Sequence, residues 1–102
     1  LTYRRSAAVD EVVERVVKDV PLFDLVATDG VRHEVWRVAS HEHAAIEQGF
    51  AALPALYIAD GHHRAASASR ARQRLSARGA GEWDRVLAVA FPDTQLQVLP
   101  YN

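Results

Sequence analysis

Ala55-Leu56-Tyr57-Ile58-Ala59-Asp60-Gly61-His62-His63-Arg64 decides how this chain folds. An apolar run leads in, and an alanine- and arginine-rich segment, residues 65–78, leads out. The order reads as a buried strand, a tight turn and a helix. Asp60 is expected as the N-cap, accepting from amides two or three residues on, and Gly61 lets the backbone turn sharply. The amides of Gly61, His62 and His63 then point out of the helix start, beside the positive end of its dipole. Such an end holds phosphate readily. Arg64 lies one turn in, and helical side chains lean back toward the N-terminus, so its guanidinium can reach the same anion. The dipole disfavours imidazolium, so His62 and His63 read as neutral hydrogen-bond groups. They lie about 100° apart around a helix of ~3.6 residues per turn and cannot easily chelate one metal. At most one of them shares a pocket with Arg64. An Asp-Gly pair before a helix is also ordinary punctuation that needs no ligand.

Length and composition bound the rest. The chain has 102 residues, which suits one small domain, or a piece of one, with a modest core. Hydrophobic residues make up 49% and charged residues 25%, the mixture of a globular protein. A net charge of -1 gives no basic field to draw nucleic acid or an anionic membrane. The absence of cysteine removes disulfides and thiolate metal sites and is compatible with the cytoplasm. No apolar run approaches the ~20 residues that span a bilayer. The chain begins at Leu1 without methionine and stops at Leu99-Pro100-Tyr101-Asn102 after a strand-like run, so it reads as an internal piece of a longer protein.

Taken in order, Leu1-Thr2-Tyr3 reads as the end of a strand. Ser6 then caps a helix whose apolar stripe is Val9, Val12, Val13, Val16, Val17 and Val20, with charged residues between them on a solvated face. Pro21 stops it. Residues 22–28 and 31–38 read as strands joined by Asp29-Gly30, a two-residue turn in which both positions want positive φ. Trp36 is expected as a core anchor and His33 as a surface residue. Ser40 is expected to cap a helix over residues 41–53, with Ile46, Gly49, Phe50 and Leu53 as its ridge. His41 and His43 diverge on it, so they make a weak metal pair. Beyond the motif helix, Gly79-Ala80-Gly81 breaks the pattern, and Arg70, Arg72, Arg74 and Arg78 complement its dipole. Residues 85–91 read as a continuous apolar strand covered on both faces, and residues 96–99 as a last strand. The class is α/β or α+β, with a mixed sheet, one hairpin and three helices.

Those residues carry a resemblance. Leu56-Tyr57-Ile58-Ala59-Asp60-Gly61-His62-His63-Arg64, with residues 29–37 before it and 96–100 after it, resembles the middle of a bacterial and archaeal family. That family is domain of unknown function ten-fifteen, whose members are often labelled ParB-like. The similarity runs over nearly the whole chain. The DGHHR element in turn resembles the phosphate-binding turn of the ParB and sulfiredoxin superfamily, and free serine kinases carry a very similar one. The resemblance implies a cofactor site at Gly61, His62, His63 and Arg64. Gly61 is then the close-approach position, His62 and His63 the phosphate neighbours, and Arg64 the charge clamp. It implies Asp60 as cap, or as a contact to magnesium or a substrate hydroxyl, and makes Asp60 and His63 the catalytic candidates. The ligands it implies are ADP, ATP or CTP with Mg²⁺, or another small phosphorylated molecule.

Phosphoryl transfer also needs a carboxylate to take the hydroxyl proton. The family's usual candidate lies upstream of this chain, and Glu34 is available within it. Three functions follow: a small-molecule kinase of the free-serine type, a nucleotide-switched DNA-partitioning-like module, or a non-catalytic interaction domain. A metal-dependent nuclease fits less well, since adjacent histidines chelate poorly and no carboxylate cluster accompanies Asp60. No basic recognition helix favours nucleic acid, and unpaired strand edges favour pairing with a second copy.

Overall fold

The computed structural model describes residues 1–101, so the Asn102 that ends the chain lies outside the described residues. The order is β1 (Thr2–Tyr3), α1 (Ala7–Val16), β2 (Phe23–Val26), β3 (Arg32–Val35), α2 (Ser40–Ala51), α3 (His62–Leu75) and β4 (Phe91–Pro92). Three helices with one parallel strand pair and one antiparallel hairpin make the class α+β. The residues form two compact units, one of residues 5–54 and one of residues 1–4 and 55–102.

The unit of residues 5–54 is built on α1. The Ser6 hydroxyl accepts from the Val9 amide at 3.3 Å, satisfying one orphan donor of the first turn. Half of the valine stripe is buried: Val9, Val12 and Val16 are inside, with Val9 and Val12 almost wholly so, while Val13 and Val17 stay 47% and 43% exposed at its edge. The helix stops sooner than the stripe implies. Lys18 and Asp19 close tighter turns back to Arg15 and Val16, and Val20 is 92% exposed. A residue before proline is pushed out of the helical region, so Val20 cannot continue the stripe. The Asp19 carbonyl, left without a helical partner, accepts from Trp36 Nε1 at 2.9 Å. Trp36 is half-buried rather than a core anchor, and with Val12, Val16, Val38 and Ile46 it lines a small apolar hollow of about 180 Å³.

The hairpin forms with its strands in the expected places and a different turn. Ala27 N donates to Val31 O, enclosing three loop residues, and Gly30 alone has positive φ, at 81°. Asp29 keeps negative φ and its carboxylate accepts from the Val31 amide at 3.0 Å. This is the three-residue loop, a type I turn followed by a left-handed glycine, rather than the expected two-residue turn. Asp24, Arg32 and Glu34 share one face, where Arg32 takes Asp24 in a fork at 2.8 and 2.6 Å and lies 3.3 Å from Glu34.

Ser40 is the first residue of α2 and not its cap. Ala39 holds the cap position and offers no side-chain bond. Glu42 in the first turn complements the dipole instead. It is buried and accepts a fork from Arg15, Nε to Oε1 at 2.8 Å and a terminal nitrogen to Oε2 at 2.9 Å. Arg15 is therefore the link from α1 to α2, and the charged face of α1 is not wholly solvated. His43 Nε2 lies 3.1 Å from the Val38 carbonyl and His41 is exposed.

In the second unit the central strand is β1. Thr2 exchanges two hydrogen bonds of 2.8 Å with Tyr57 on one side, and β1 runs parallel to β4 on the other. Residues 55–59 are thus not the expected buried strand: they make one bridge, and Leu56, Tyr57 and Ile58 stay between 42% and 54% exposed. Residues 85–91 reach the strand pair only at Phe91, with the Val89 carbonyl accepting from the Leu1 amino group at 2.8 Å, and residues 96–99 do not pair. Leu87 and Val98 are each 97% exposed. A ladder extends only as far as its partner, and β1 supplies two residues. Their apolar composition fits burial, but the partner is too short to provide it. Tyr3 and Pro92 are the buried positions of this pair.

Candidate functional site

The turn before α3 closes differently from its expected form. Gly61 is the N-cap, at φ 84° and ψ 28°, and it offers no side-chain cap. Asp60 is consequently not the cap of α3. Its Oδ1 accepts from the next amide, Gly61 N, at 2.7 Å. The carboxylate is too close in sequence to reach amides deeper in the helix once the glycine has turned left-handed. One of the three amides expected to face an anion is therefore already occupied. The helical ladder begins with Ala65 N donating to Gly61 O at 3.0 Å. The amides of His62, His63 and Arg64 precede it and have no partner among the described residues.

Only glycine takes a φ of +84° without strain. A Cβ built on Gly61 meets nothing within 4 Å, so the cost of Gly61→Ala is conformational alone. About 1–2 kcal/mol of lost stability is expected on thermal or urea unfolding. An unchanged midpoint would show that the left-handed turn is not what starts α3.

The other end of α3 is braced. Arg72 Nε donates to Asp84 Oδ1 at 3.0 Å, Asp84 Oδ2 accepts from Gly81 N at 3.0 Å, and Trp83 Nε1 donates to Gly79 O at 3.1 Å. The Gly81 amide and then the Arg72 guanidinium hold the Asp84 carboxyl below the ordinary range. Arg72 is thus a tether as well as a dipole partner. Arg70 bonds Ser67 within the helix at 3.0 Å.

A groove of about 440 Å³ opens beside the start of α3, lined by Asp60, Gly61 and Arg64. Its remaining walls come from Leu1, Ile58, Ala59, Ala65 and Leu96, and from residues 86–89 and Phe91 of the run that ends in β4. The structure brings three of the five DGHHR residues onto one hollow. His62 and His63 are exposed and do not line it, so of the two catalytic candidates only Asp60 borders the groove. Glu34 belongs to the hairpin and lies against Arg32. Among the described residues Asp60 is the only carboxylate in the lining, with one oxygen bonded to Gly61. That suits Mg²⁺, which takes one or two protein carboxylates and fills its shell with phosphate oxygens and water. Among the described residues no group of three or more His, Cys, Asp or Glu is placed to hold a metal, and no helix is long and apolar enough to cross a membrane.

The chain matches, over residues 1–102, the family described as "Protein of unknown function (DUF1015)". It belongs to that family. No curated protein and no solved structure matches it. Within this DUF1015 chain, the residues that sequence reasoning missed are the groove walls. The run from Val86 to Phe91 has the composition of a core strand, and nothing local in it signals a wall. Arg15 and Glu42, which join α1 to α2, were also hidden, because 27 residues separate them.

Proposed function

We propose that this chain binds a nucleotide or a phosphorylated small molecule at the DGHHR turn. The anion sits against the amides of His62, His63 and Arg64, and the Arg64 guanidinium clamps it. One observation carries the reading: a cation, a carboxylate and the left-handed glycine that opens α3 border one groove with apolar walls, next to helix-start amides without a partner among the described residues. That is the composition of a small-molecule site, mostly apolar with a few convergent polar groups. The likeness of the turn to those of the ParB and sulfiredoxin superfamily supports ADP, ATP or CTP with Mg²⁺ as ligands.

The chemistry that fits is phosphoryl transfer to a small hydroxyl acceptor, as in free serine kinases, achieved mainly by positioning and charge neutralisation. In this reading Asp60 carries Mg²⁺ or accepts from the acceptor hydroxyl, through the oxygen that Gly61 leaves unbonded. His62 and His63 stand outside the groove lining and contribute to the anion site through their backbone amides alone.

Titration calorimetry of the chain with ADP, ATP and CTP in magnesium tests the reading. Arg64 is exposed, so Arg64→Ala should leave the unfolding midpoint unchanged. It should weaken nucleotide binding about 10- to 100-fold, the value of a hydrogen bond to a charged group. Equal affinity in the variant sinks the assignment.

A further inference from the structure

We infer that the run from Val86 to Phe91 is the recognition wall for the organic half of the ligand. The groove then selects a nucleoside phosphate over phosphate or pyrophosphate alone. This rests on the anion site proposed at the start of α3 and assigns what lies beyond it.

The argument starts from the lining. Among the described residues, Asp60 and Arg64 are the charged side chains of the lining, and the Leu1 amino group is bonded to the Val89 carbonyl at 2.8 Å. A bare phosphate uses the Arg64 guanidinium and the helix-start amides, and gains nothing from Ile58, Leu87, Val89 or Phe91. The volume of about 440 Å³ falls within the range of sites that enclose a small organic molecule and is larger than an anion needs. Leu87 is 97%, Val89 64% and Phe91 44% exposed, so this wall holds apolar surface in water until something covers it. A ring-sized body attached to the bound phosphate covers it without further charge. An exposed aromatic such as Phe91 is the side chain on which a base can stack.

Leu87 isolates the effect. Being almost wholly exposed, it packs on little else in its unit, so Leu87→Ser changes the wall and not the fold. Calorimetry in magnesium with ADP, pyrophosphate and adenosine, on the chain and on Leu87→Ser, provides the test. ADP should bind about tenfold or more tighter than pyrophosphate, with adenosine weaker than ADP. Leu87→Ser should weaken ADP about five- to tenfold, leave pyrophosphate unchanged and leave the melting midpoint unchanged. Equal affinities for ADP and pyrophosphate, or an ADP affinity untouched by Leu87→Ser, overturn the wall and leave the anion site standing. Failure of both phosphates to bind removes the anion site and the wall with it. A change in sedimenting mass in Leu87→Ser, with ADP binding unchanged, assigns the surface to chain–chain contact and also overturns the inference.

Discussion

Gly49→Leu lowers the stability of the unit formed by residues 5–54 by about 3 kcal/mol or more, and Gly49→Ala by about 1 kcal/mol. Propensity alone argues the other way, because glycine inside a helix costs roughly 1 kcal/mol against alanine. Packing decides the sign. A Cβ on Gly49 stands 2.9 Å from Val9 Cγ2 and 3.4 Å from the Val9 amide nitrogen. Val9 is 2% exposed, and its β-branched side chain has one strongly preferred rotamer in a helix. Neither the side chain nor the backbone of α1 can move aside without disturbing Val12 in the same stripe. The methyl therefore separates α1 from α2, and leucine separates them further. A double-mutant cycle with Val9→Ala checks the mechanism by urea unfolding. Val9→Ala alone leaves a cavity at the helix contact. In the Gly49→Ala background the new methyl fills that space, so the two changes should couple by about 1 kcal/mol or more. Strict additivity would place the cost of Gly49→Ala somewhere other than this contact.

The same two helices mark how far local rules carry. The valine period, the Ser6 cap and Pro21 are near neighbours in sequence, and together they locate α1 to within a turn. Asp29-Gly30 locates the hairpin. Its loop length escapes local reading, because Asp29 finds a carboxylate bond to Val31 that keeps it at negative φ. Residues 55–59 and 85–91 show the larger limit. Their composition is that of buried strands, but burial depends on a partner, and β1 extends for two residues only. DGHHR is legible as a turn entering a helix because glycine and the polar run are contiguous. The groove is not legible, since Leu1 and Val86 to Phe91 reach it from distant parts of the chain. Nor does spacing reveal that Asp60 bonds the very next amide, which a left-handed Gly61 makes the closest donor.

Acid weakens the unit of residues 5–54, and Glu42→Gln removes most of that dependence. The Arg15 hydrogen bonds hold the Glu42 carboxyl below the ordinary glutamate range and outweigh the burial that pushes the other way. A carboxylate with a depressed folded value stabilises the fold at every pH above its unfolded value. That stabilisation is lost as pH falls through the folded value, because the unfolded state then binds the proton more readily. The window therefore opens at the unfolded glutamate value, about 4.3, and runs to more acid pH. Asp24, depressed by its hydrogen bonds to Arg32, adds a term of the same sign. It is smaller, since that pair lies on an exposed hairpin where water and salt screen it. Glu42 is the dominant group because its carboxylate is buried between α1 and α2, while Arg15 remains half exposed. Glutamine keeps the shape, forfeits the charge-assisted fork and does not titrate. At neutral pH the variant should melt lower than the parent, and the two midpoints should converge as pH falls. With two tryptophans in the chain, a Trp83→Phe background leaves Trp36 as the sole fluorescence reporter of this unit. Midpoints of Glu42→Gln that fall in parallel with those of the parent across the acid range would mean that another carboxylate governs the response.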